Sequence, residues 1–116
     1  MREIKFRCWS GVKFHYWGVV DGKFISPIYS DDKLVLEITQ YTGLHDKNGK
    51  EIYEGDIVKI EIHEKDEERK IKTLPIVYQE HCSQFRAYNK GWTSYIFYSD
   101  WTEVIGNIYE NKNLLE

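Results

Sequence analysis

A small, mostly β domain, folded as a barrel or sandwich, is the class this sequence predicts, and three observations predict it. Apolar residues recur with a period of two in short runs such as Ile4-Phe6-Cys8 and Val58-Ile60-Ile62. Gly, Asn and Asp separate those runs, and no stretch carries the pattern of a long amphipathic helix. At 116 residues the chain is near the size of one domain, able to bury roughly two thirds of its unfolded surface. Residues 1–116 are therefore read as a single domain with short loops and little helix.

The elements follow in order. Ile4, Phe6 and Cys8 alternate with Lys5 and Arg7, giving an opening strand with one buried face. After a break at Ser10-Gly11, Val12, Phe14 and Tyr16 continue the period, and Asp21-Gly22 marks a hairpin between Val19-Val20 and Phe24-Ile25. Pro27 to Lys33 reads as a loop, and Leu34, Leu36 and Ile38 as the inward side of a short strand or helical turn. Asp46-Lys47-Asn48-Gly49-Lys50 is the clearest turn, because Asn-Gly occupies left-handed positions at little steric cost. Beyond the break at Glu54-Gly55-Asp56, Val58, Ile60 and Ile62 make the strongest strand. His63 to Lys70 holds seven charged side chains besides the histidine and no apolar one, so it is a solvated loop or short helical excursion. Ile76 to Tyr78, Phe85 to Ala87, Tyr95 to Tyr98 and Val104 to Tyr109 complete seven or eight strands.

Composition narrows the function classes. A formal net charge of -3 supplies no global positive field for a phosphate backbone. No apolar run approaches the roughly 18 residues of a membrane helix, and the charged start lacks the apolar core of a signal peptide. A cytoplasmic protein without membrane partners is expected. Cys8 and Cys82 lie far apart with no second cysteine at metal or redox spacing, and free thiols are expected. His15, His45, His63 and His81 are spread singly, so no metal or cofactor is assigned. His81-Cys82 is the sole adjacent pair of ligand types, and an ordinary loop end accounts for it. No nucleophile elbow, phosphate-binding loop or zinc-protease motif occurs, and the acidic residues sit in turns or among lysines. No catalytic residue is assigned, and the protein is read as a non-enzyme.

The aromatic content is unusual, at 16% of the chain. Phe6, Phe14, Phe24 and Phe85 are core candidates. From Trp92 to Trp101 rings would occupy both faces of a strand, with Trp92 and Tyr98 on one and Tyr95, Phe97 and Trp101 towards the other. Trp92, Tyr95, Phe97, Tyr98 and Trp101 are therefore the expected interaction surface, since exposed ring clusters mark interfaces.

Three segments resemble one family. They are Met1 to Trp9 (MREIKFRCW), Gln40 to Val58 (QYTGLHDKNGKEIYEGDIV) and Glu103 to Asn111 (EVIGNIYEN), colinear across nearly the whole chain. Together they are similar to the YopX family of small phage and prophage proteins. Departures are the lack of a glycine-led turn around Cys82 to Ala87 and Lys112 where proline is common. The resemblance implies an SH3-like barrel with additional strands, in the cytoplasm of a bacterial host, and no catalytic residues. It places the signature on Tyr41, Gly43, Asp46, Asn48, Gly49, Tyr53, Gly55, Asp56, Gly106 and Asn107, for which an architectural role is the plain expectation.

Three functions compete. The first is a non-enzymatic interaction protein that binds a host or phage protein or assembles as a homo-oligomer. The second is a nucleic-acid-binding accessory protein using Arg2, Lys5, Arg7 and Lys13 beside Trp9 and Trp17. The third, ranked last, is a small hydrolase or metal enzyme built on His81 and Cys82.

Overall fold

The structure, a computed structural model, describes residues 3–20, 23–25, 37–63, 70–88 and 94–115. Among the described residues the alternating runs form nine antiparallel strands in two sheets. Sheet one has the order β3-β2-β1-β4-β5, from β1 (Ile4–Trp9), β2 (Phe14–Val20), β3 (Lys23–Ile25), β4 (Glu37–His45) and β5 (Glu51–Tyr53). Sheet two has the order β8-β7-β6-β9, from β6 (Asp56–Ile62), β7 (Lys70–Gln79), β8 (Gln84–Ala87) and β9 (Thr102–Asn107). Helix is confined, among the described residues, to 3-10 turns at Glu80–Cys82, Ser99–Trp101 and Lys112–Leu115.

The mostly β class holds, and the strands lie in two sheets that do not close into a barrel among the described residues. The crossing explains this. β5 is three residues long and pairs with β4, after which Glu54-Gly55 carries the chain directly into β6 of the other sheet. The crossing is pinned to sheet two, where Gly55 N donates to Ile76 O at 2.8 Å and Ile108 N donates to Gly55 O at 2.9 Å.

The core covers the inner face of sheet two. Val58, Ile60 and Ile62 of β6 point inward as their alternation predicts, joined by Ile52, Leu74, Ile76, Ala87 and Phe97. Phe85, Tyr95 and Val104 pack against this cluster. On sheet one half-buried rings cluster, with Trp9 and Phe14 in mutual ring contact with Tyr109 beyond β9, and Phe6 stacked on Trp17. The side chain of Phe24 lies outside the described residues.

Several expectations are corrected. β4 runs through Gln40 to His45, a stretch assigned no element from its sequence, and the irregularity between Tyr41 and His45 lets it pass through Gly43 while still pairing with β5. Ile38, expected inward, is exposed, and Thr39 is buried instead because it accepts a hydrogen bond from Arg7. Leu34 and Leu36 lie outside the described residues. β7 starts six residues earlier than Ile76, and the pairing of Ile62 with Lys70 shows charged residues entering the sheet. Pro75 fits inside this central strand because its carbonyl accepts from Tyr88 N at 3.0 Å. Its nitrogen therefore faces the same side, just past the end of the β7–β8 ladder, where no donor is required. Tyr95 to Tyr98 does not form a strand; it makes one bridge, between Ala87 and Tyr95.

Two glycines are required by close approach. Gly18 sits where β2 meets β1, and a Cβ there would stand 2.1 Å from Ile4 O. At Gly106 a Cβ would stand 2.6 Å from Asn111 Oδ1, the atom that accepts from Asn107 N.

Candidate functional site

The signature residues build a frame. Asp46, at the end of the β4–β5 hairpin, accepts from Asn48 N and Lys50 N on Oδ1 and from Val104 N on Oδ2, each at 2.9 Å. Lys47 N also donates to Thr102 O, so this turn of sheet one covers the outer edge of β9 in sheet two. Burial pushes the Asp46 carboxyl up, but the three N–H groups and the Lys50 charge outweigh it and hold the group below its usual range. Asn107 Oδ1 accepts from Tyr109 N and Glu110 N in a compact turn after β9. Gly43, Asn48 and Gly49 are exposed along the same hairpin.

Asp56 belongs to a buried charge centre that alternation placed on the solvent side. Arg7 Nη2 donates to Asp56 Oδ1 at 2.7 Å, with side chains only 6% and 4% exposed. Its guanidinium lies 4.2 Å from the centre of the Phe14 ring and 4.6 Å from that of Tyr53, a setting suited to a planar cation. Tyr53 N donates to Asp56 Oδ2 at 2.8 Å, so both carboxylate oxygens are used. Burial pushes the Asp56 carboxyl above its ordinary value, opposed by the Arg7 charge and the Tyr53 N–H. Beside it Lys5 pairs with Glu51 and Glu3, and lies over the Tyr41 ring. Burial, reinforced by the Glu51 charge, pushes the Tyr53 phenol far above its usual range. These ionisable groups are spent on one another, which is the chemistry of a structural knot.

The expected aromatic surface divides. Trp92 lies outside the described residues. Phe97 is 6% exposed and belongs to the core, so it leaves the surface set. Tyr95 packs half-buried against the core with Lys72 over its ring. Tyr98 and Trp101 remain outside, at 56% and 40% exposure, in edge-to-face contact with each other. Sequence reading missed two neighbours. His63, at the end of β6, stacks on Trp101 with ring centres 4.1 Å apart, and Ile71 of β7, 61% exposed, shares a shallow depression with Trp101. Lys47, Lys59, Glu61 and Glu103 rim that depression on the outer face of sheet two. The strand parity of Ile71 is the signal that could have found it.

A second concavity, of about 610 Å³, opens at the end of the inner face of sheet two. Gln40, Thr42 and Leu44 form one wall, and Tyr78 and Phe85 line it from β7 and β8.

The residues of the other readings fall elsewhere. Lys5 and Arg7 are committed to carboxylates, Trp9 and Trp17 are half-buried in ring contacts, and Arg2 lies outside the described residues. Cys82 ends a 3-10 turn with its thiol near Gln79 O, and His81 beside it is exposed. Cys8 is buried, and burial pushes its thiol up, away from the reactive thiolate. Both cysteines are free. Among the described residues no three His, Cys, Asp or Glu side chains gather as a metal-ligating group, and no helix is long and apolar enough to cross a membrane.

The fold and its internal charge centre define a small two-sheet antiparallel β protein whose signature residues tie the sheets together. The profile described as YopX protein matches residues 20–116, and the chain belongs to the YopX family. Among solved structures it is similar to the crystal structure of protein EF1440 from Enterococcus faecalis, at 26% sequence identity and a TM-score of 0.62. That likeness covers 97% of this chain and 98% of the other. No curated protein matches.

Proposed function

We propose that this YopX-family protein is a non-enzymatic interaction protein of phage or prophage origin, acting in the bacterial cytoplasm and docking a host or phage protein on the outer face of sheet two. One observation carries the reading: Tyr98, Trp101 and Ile71 are exposed together there, with His63 stacked on the indole and charges of both signs at the rim. Apolar rings at the centre and charge at the border are the anatomy of a protein interface. Trp and Tyr are also the residues that most often dominate binding energy.

A second copy of the chain is the alternative occupant of that face, and sedimentation of the pure protein distinguishes it. The nucleic-acid reading is weakened by the commitment of Lys5 and Arg7 to carboxylates. Affinity capture from a phage-infected or prophage-induced host, with and without nuclease and read by mass spectrometry, tests the proposal. A specific protein retained after nuclease supports it. Loss of all capture on nuclease treatment supports the nucleic-acid reading instead.

A further inference from the structure

The strand pairing along β8 stops one step after it begins. Ala87 N donates to Tyr95 O and Tyr95 N to Ala87 O, both at 2.9 Å, so the main chain of Ala87 faces away from β7. In an antiparallel ladder this orientation recurs every second residue, so the N–H and C=O of Phe85 face the same open side. Continuing the register would set Phe97 opposite Phe85, yet Tyr95 is the last residue of its segment to pair with β8. The gap between Phe85 and Ile96-Phe97 is part of the 610 Å³ groove, whose far wall is Gln40, Thr42 and Leu44 of β4.

The groove has the chemistry of a strand-binding cleft. Leu44, Tyr78, Phe85 and Ile96 offer apolar and aromatic contact, and Gln40 offers a hydrogen-bonding side chain, while the Thr42 hydroxyl on the same wall is held by Ile52 O and Leu44 N. Among the described residues that line it Glu54 is the only charged one, and its carboxylate has no ion-pair or hydrogen-bond partner among the described residues. A groove with one open main-chain edge and one uncommitted negative charge is complementary to an extended peptide carrying a cation.

We propose that this groove binds an extended peptide segment of a partner protein as an added strand along β8 at Phe85, with a lysine or arginine of the segment directed to Glu54. The site lies on the inner side of sheet two and does not depend on the function assigned to the Trp101 face.

Selection of a displayed library of random 12-residue peptides on the intact protein tests it, with backbone amide NMR of the enriched peptides added to the protein. The enriched peptides are expected to carry a basic residue among β-forming ones and to shift the amides of Phe85, Gln84 and Thr42. Glu54→Gln, a near-isosteric change at a half-buried position, should weaken their binding about fivefold. Ile96→Asp, at an exposed position, should restrict the apolar peptides while leaving the fold intact by near-ultraviolet circular dichroism. No enriched peptide, enrichment without basic residues, or equal binding to wild type and Glu54→Gln would each overturn the proposal.

Discussion

Arg7 of β1 and Asp56 of β6 meet across the two sheets, with a 2.7 Å hydrogen bond between side chains that solvent barely reaches. The pair stands where the chain crosses from one sheet to the other, and Arg7 also donates to the Glu54 carbonyl at 3.4 Å. It therefore joins the sheets at the point where their ladders do not.

Removing either partner strands the other charge in the interior. Asp56→Ala and Arg7→Met are each expected to cost about 3–5 kcal/mol in urea denaturation. The Arg7→Met/Asp56→Leu double variant should be less destabilised than the sum of the single changes, since neither charge is then left unpaired. Additive losses would show that the pair is not energetically coupled.

Asp46 predicts an acid limb in stability. Its folded pKa is depressed, so the stability it contributes is complete above the unfolded value of about 3.9 and is lost as pH falls through the folded value. Asp56 acts in the opposite sense. Its folded pKa is raised, so stability declines as pH rises from the unfolded value through the folded one. Asp46→Asn should cost about 2–3 kcal/mol at neutral pH and flatten the loss below pH 4 in denaturation measured from pH 2 to 6. An acid limb as steep as that of the wild type would assign it to other carboxylates.

Gly106 holds open the space that Asn111 fills. Gly106→Ala is expected to cost about 1–3 kcal/mol by displacing the Asn111 amide from Asn107 N. Once Asn111→Ala has removed that side chain, adding Gly106→Ala should cost much less, and thermal unfolding of the four proteins measures the difference.

The strand pattern of β6 and the turn at Asp46 to Lys50 were legible in the sequence because they rest on local chemistry, period two and Asn-Gly. The burial of Arg7 was not, because alternation assigns an arginine to solvent unless its partner is known, and Asp56 lies 49 residues away in the chain. A second long-range contact of Arg7, its hydrogen bond to Thr39, accompanies the inverted faces of Ile38 and Thr39. Of the candidate surface, Tyr98 and Trp101 were readable as surplus rings. Phe97 reads as one of them because the core it enters is built from strands far along the chain. His63 and Ile71 were hidden for the same reason, since their contact with Trp101 needs three strands in register.

The most direct test of the central claim is quantitative capture from a phage-infected or prophage-induced host with wild-type protein and with the Tyr98→Ala/Trp101→Ala variant, after circular dichroism confirms that both are folded. The account predicts that a nuclease-resistant protein partner recovered by the wild type falls at least about tenfold with the variant, as loss of central aromatic anchors does. Equal recovery by the two proteins would contradict the assignment of the outer face of sheet two as the interaction surface.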